Sequence, residues 1–139
     1  MINRLLKFRS QKGAALVEFA LVALMLFTIV FGMVEFSRAW MLLGIMNGAA
    51  RVGARYAAIV PDVEDNLDKV TTKVTDVLSA SSIPAGDIEK IEIDLSQSPT
   101  MGTPITVRVE VTFHSFFGDL FPRLNNLSLK AACCMRREI

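Results

Sequence analysis

An α+β fold built on one long N-terminal helix is predicted by three observations on the 139-residue sequence. A continuous apolar stretch follows a short basic leader, and after it comes an amphipathic segment with helical spacing. The remainder alternates apolar and polar side chains with a period of two. Taken in order, these predict a basic leader over 1–13, a transmembrane and stalk helix over 14–60 and an extracytoplasmic α+β domain over 61–139.

From Ala14 to Val34 every residue is apolar or small except Glu18 and Thr28, a run of 21 positions. A bilayer core needs roughly 20 helical residues, so this run is long enough to span one. Of the 15 Lys and Arg, Arg4, Lys7, Arg9 and Lys12 fall in the first thirteen residues, which hold no acid. The remaining 11 face all 14 Asp and Glu, so the +1 net charge hides a basic leader and a mildly acidic remainder. Basic residues beside a span stay on the cytoplasmic side, which places the N-terminus inside and everything after the span outside. Four charges with no aromatic interleaving and no recognition motif argue against nucleic acid as a partner.

No proline occurs between Glu35 and Val60, and Ala, Gly, Leu and Met dominate. The helix is therefore expected to continue to near Val60, about twice the length a membrane core requires, with Gly44 or Gly48 as places for a bend. Pro61 stops it, and Asp62 is placed to cap a second helix. There Val63, Leu67, Val70, Val74 and Val77 form one apolar stripe, while Glu64, Asp65, Asp68, Lys69 and Lys73 lie largely off it. Ser79 to Gly86 reads as a loop.

From Ile88 the period changes. Ile91, Ile93 and Leu95 alternate with Lys90, Glu92 and Asp94, and Ile105, Val107, Val109, Val111 and Phe113 alternate with Thr106, Arg108, Glu110 and Thr112. A last strand near Leu127 to Met135 places Leu127, Leu129, Ala131 and Cys133 on one face, giving an antiparallel sheet of about three strands with one wet side. Phe116, Phe117, Leu120 and Phe121 form an aromatic connection expected to cover the sheet edge.

The chemistry-bearing side chains form no catalytic set. His114 has no second ligand at metal spacing and reads as a strand-end side chain. Neighbouring Cys133 and Cys134 read as small strand residues, since the peptide between adjacent cysteines strains a disulfide. The acids of Asp62 to Asp76 look like a solvated helix face. No Gly-x-Ser-x-Gly and no phosphate-binding glycine loop is present. The expectation is a protein that is not an enzyme and that holds no cofactor or metal.

The informative stretch is Gln11 to Phe19. Gly13, directly after basic residues, offers a protease an extended point free of side chains on the cytoplasmic side of the apolar run. A cut there leaves the helix attached, unlike that of an ordinary secretory signal. Glu18 then becomes the fifth residue of the mature chain, and a carboxylate in hydrocarbon, unfavourable by about 3 kcal/mol, needs a partner. The new α-amino group of Ala14 on a neighbouring subunit is a suitable one.

Gly13 followed by Ala14 to Leu16, then Glu18 and Phe19 and a continuous apolar helix, is similar to type IV prepilins. Three blocks, Gln11 to Phe19, Phe31 to Trp40 and Ala49 to Ala57, resemble more specifically the TadE-like minor pilins, or pseudopilins, of the tight-adherence (Tad/Flp) type IVb pilus system. The resemblance implies a pilin-like fold and cleavage by a prepilin peptidase, with Gly13 and Ala14 flanking the cut. It further implies assembly with other pilins through the N-terminal helix around Glu18 and Phe19, and a role in adhesion or biofilm formation. The extra domain favours a minor component, since the major pilin of that system is a much shorter chain. The sequence departs from the family pattern at Val52, where members often carry glutamate. Two other readings stand beside this one: an uncleaved signal-anchored periplasmic binding or scaffold protein, and a secreted enzyme cut after the apolar run.

Overall fold

A computed structural model describes residues 2–81, 83–95, 101–116, 118 and 126–138, with side chains from Gly13 onward. Helix α1 runs over Ile2–Ile59, a short 3-10 turn follows at Val63–Asn66, and helix α2 occupies Leu67–Ala80. Strands β1 (Ile88–Leu95), β2 (Pro104–Phe113) and β3 (Leu127–Arg136) complete the chain. The chain divides into two compact units, Met1–Ser37 and Arg38–Ile139.

Helix α1 begins well ahead of the expected Ala14. Nothing from Ile2 to Lys12 is proline or glycine, and Leu, Lys, Arg and Gln all propagate a helix readily. Gly13 inside it weakens the helix by about 1 kcal/mol relative to alanine, which is too little to stop it. The helical assignment also continues through Gly44 and Gly48.

In the second unit the sheet is an antiparallel meander in the order β1-β2-β3. The alternation read from the sequence holds along β2, where Ile105, Val107, Val109, Val111 and Phe113 are all buried. Their partners on β3 are Met135, Cys133, Ala131, Leu129 and Leu127. Of these, Leu127 is exposed, at the end of the sheet. On β1, Ile88 and Ile91 both pack on the core although their spacing is odd. An irregularity in the β1–β2 register between Ile88 and Lys90 reconciles them, since one additional residue restores the inward phase.

Both helices cover the inward face of this sheet. Met46, Ala49, Ala50 and Ala54 of α1 meet Val74 and Leu78 of α2 and Val107, Val109, Val111 and Ala131 of the sheet in one core cluster. A second cluster joins Ala57, Val63, Val70 and Ile105. Burying each Val or Leu contributes about 1.5–3 kcal/mol, so the sheet face and the two helix stripes together supply most of the cohesion. The alanines let the α1 backbone approach the strands. On α2 the fully buried positions are Val70, Val74 and Leu78, with Leu67 and Val77 at the margins. The true stripe therefore drifts toward Leu78, because Val63 lies in the 3-10 turn and does not set the phase of α2.

Asp62 does not act as the expected side-chain cap. Its backbone is left-handed (φ 51°) and its side chain makes no capping hydrogen bond. Its carbonyl instead accepts the Asp65 N–H at 3.0 Å and the Asn66 Nδ2 at 3.1 Å. At the far end, Glu138 N–H donates to the Ala58 carbonyl at 3.0 Å, satisfying one of the terminal acceptors of α1.

The outward face of the sheet is wet and ionic. Lys130 pairs with Glu110 at 2.7 Å, and Arg108 lies between Glu92 (3.8 Å) and Asp94 (3.7 Å). Glu89, at the register irregularity, accepts hydrogen bonds from Thr112 and Ser128, so one carboxylate ties all three strands. Phe117, Leu120 and Phe121 lie outside the described residues. Phe116 is 77% exposed and so does not cover the sheet edge as expected.

Candidate functional site

Gly13, Ala14, Glu18 and Phe19 all lie on α1 and are exposed. Gly13 and Ala14 sit within the helix and not in the extended conformation expected of a cleavage point. The helix that starts at Ile2 runs through them, so a protease acting here would have to unwind the turn locally. Glycine lowers the free energy of that opening.

Gly13–Ile59 is long and apolar enough to cross a membrane, and none of its most apolar window is buried. Leu16, Val17, Phe19, Leu21, Val22, Leu24 and their successors form an all-round apolar surface, the pattern of a helix whose surroundings are themselves apolar. The one hydroxyl of residues 14–34 is internally satisfied: Thr28 Oγ1 donates to the Leu24 carbonyl at 2.8 Å. Ser37 Oγ does the same to the Met33 carbonyl at 2.8 Å. Backbone acceptors thus take up these donors without a neighbouring chain. Phe27 and Phe31 stack with centroids 6.1 Å apart. Glu18 is the sole carboxylate among residues 14–34.

Further along α1 the exposed and buried faces separate. Gly53 is buried, and a β carbon built on it would overlap Val74 Cγ2 and lie 3.4 Å from Val107 Cγ1. Gly44 and Gly48 have open space where a β carbon would be. Of these three glycines, the one that other elements approach closely among the described residues is Gly53. Val52 is 42% exposed, so the departure from the family pattern leaves the core untouched. Arg51 and Arg55 are exposed on that same outer side.

Arg38 is the residue whose part was least visible in the sequence. Its guanidinium lies 4.0 Å from the centroid of Phe116 and 5.3 Å from that of Phe113. Helix and strand end are far apart in sequence, so no local spacing announces the contact; the cluster of phenylalanines after β2 was the available signal. Nearby, His114 Nε2 approaches Asp87 Oδ1 at 3.3 Å, so the histidine meets a carboxylate at the strand end. Among the described residues no group of three His, Cys, Asp or Glu is placed to hold a metal ion. Cys133 is half-buried and Cys134 exposed, and both are free thiols.

No curated protein and no solved structure matches the chain. Residues 13–55, from Gly13 through Glu18 and Gly53 to Arg55, match the family model described as TadE-like protein, the family that the three sequence blocks resemble.

Proposed function

We propose that the chain is a minor pilin, or pseudopilin, of a Tad-type pilus, processed behind Gly13 by a prepilin peptidase. In this reading it is held in the bacterial inner membrane with its leader in the cytoplasm and its domain outside, and it packs with other pilins through α1. The observation that carries the reading is the coincidence of three features at one place. The family match starts at Gly13, the basic stretch ends just before it, and the apolar run begins directly after it. The role is structural, in pilus assembly, adhesion or biofilm formation, and requires no catalytic group.

The mechanism follows from the environment of α1. In the bilayer, lipid tails and apolar side chains compete on equal terms, so helix association depends on packing and on the few polar groups present. Glu18 is such a group, unfavourable in hydrocarbon by about 3 kcal/mol when alone. Cleavage after Gly13 creates an ammonium on Ala14. Pairing that ammonium with Glu18 of a neighbouring copy relieves both charges and imposes an axial stagger, because side-by-side alignment leaves both unmatched. Phe19 beside it adds apolar contact.

The test is Glu18→Ala expressed in cells that build the pilus. Insertion and leader removal stay intact, while the chain disappears from the sheared surface fraction. A normal yield in that fraction contradicts the pairing mechanism. The continuity of α1 through Gly13 favours a second reading, an uncleaved membrane anchor for a periplasmic binding or scaffold domain. The start of the mature chain separates the two.

A further inference from the structure

Arg38, whose guanidinium meets Phe116, follows the end of the apolar run by four residues. Residues 14–34 number 21, and at about 1.5 Å each they rise about 31 Å, which matches the roughly 30 Å hydrocarbon core. The headgroup layer adds about 5–8 Å on each side. Arg38 comes four residues after Val34, about 6 Å along the helix, and therefore falls in that layer when the run fills the core.

The fold brings the end of β2 to this same turn. Phe113 is nearly buried, while Phe116 is 77% exposed with the Arg38 guanidinium 4.0 Å from its ring centre. Two residues beyond Arg38, on another side of the helix, Trp40 is 67% exposed. A guanidinium against an aromatic ring, flanked by an exposed tryptophan, is the side-chain chemistry of the water–lipid boundary. There, rings take the apolar side and charged heads the wet side.

We propose that Phe116, oriented by Arg38, and Trp40 together form a second membrane contact at the headgroup–acyl boundary of the outer leaflet. This contact seats the β2 end of the domain on the lipid surface. It rests on the membrane-spanning reading of α1. Before assembly it restrains the domain, and leaving the bilayer for a filament requires the two aromatic side chains to exchange lipid for other surroundings.

Trp40 is the single tryptophan, which makes the test direct. The full chain is reconstituted in phosphatidylcholine and phosphatidylglycerol vesicles, unmodified or as W40F/F116W or W40F/F27W. Each is titrated with lipid brominated near the headgroup, lipid brominated near the chain end, and aqueous acrylamide. The proposal expects the tryptophans at 40 and 116 to lose emission to the shallow bromolipid and to be shielded from acrylamide, and the one at 27 to respond to the deep bromolipid. Deep quenching at 27 with acrylamide access at 116 overturns the proposal while leaving the span in place. No lipid quenching at 27 overturns the span and the proposal with it. A tryptophan at 116 shielded from both acrylamide and lipid is covered by protein, such as a second copy, and also overturns it. The unmodified chain supplies an independent reading, since Trp40 open to acrylamide alone contradicts the contact without any substitution.

Discussion

Gly53 on α1 and Val74 on α2 pack so closely that no β carbon fits between them: a methyl built on Gly53 would overlap Val74 Cγ2, while only touching Val107 of β2. One residue thus sets how near the helix that continues from the apolar run can come to both α2 and the sheet. Gly53 lies inside the segment matched by the TadE-like family model. The match therefore reaches into the core of the second unit as well as covering the apolar run.

Gly53→Ala is expected to destabilise the folded domain by about 1–3 kcal/mol, the usual effect of overpacking a tight core. Gly48→Ala is the control, because open space lies where its methyl would go. There the helix gains up to about 1 kcal/mol from the better helix former. Chemical denaturation of the full chain in detergent, followed by circular dichroism, separates the two. Equal midpoints for both variants would contradict the packing assignment.

Acid stability should depend on Glu89. Hydrogen bonds from Thr112 and then Ser128 hold its carboxyl below the ordinary value of 4.5. A depressed folded value means stabilisation that is present above pH 4.5 and lost as pH falls through the folded value. Melting temperatures of the wild type and Glu89→Gln should differ near neutrality and converge in acid; a gap independent of pH would count against the three-strand tie. Lys130 behaves oppositely. Its hydrogen bond to Glu110 raises it above 10.5, so its contribution is present below that pH and fades only in stronger alkali.

The two thiols should react at different rates. Cys133 lies opposite the buried Val107 and Cys134 opposite Thr106 of the wet face, since successive strand residues point to opposite sides. A brief maleimide pulse on the native chain, read by peptide mass spectrometry, should label Cys134 well before Cys133. Labelling at equal rates would mean that β3 is out of register or not stably paired.

Much of this architecture was legible in the sequence because each element carried its own period. The alternation from Ile105 to Phe113 identified β2 and its inward face, and the apolar run from Ala14 identified the helix. What stayed hidden depended on tertiary contact or on helix continuity. Leu78 entered the core because a 3-10 turn shifted the phase of α2, and Ile88 because of an irregularity in its pairing. The helical start at Ile2 was missed because a basic leader was read as a peptide and not as a helix former. Gly53, which touches two other elements, carries no local mark in the sequence that sets it apart from Gly44 and Gly48. Glu18 is a different case: its proposed partner belongs to another copy, so its place in the sequence is informative and its surroundings in one chain are not.

The central claim turns on the first residue of the mature chain. Intact-mass and N-terminal peptide analysis of the protein purified from membranes of pilus-producing cells should show a chain that starts at Ala14, with the thirteen leader residues gone. A membrane-bound population that still begins at Met1 would lack the Ala14 ammonium, and would contradict the pilin account in favour of an uncleaved anchor.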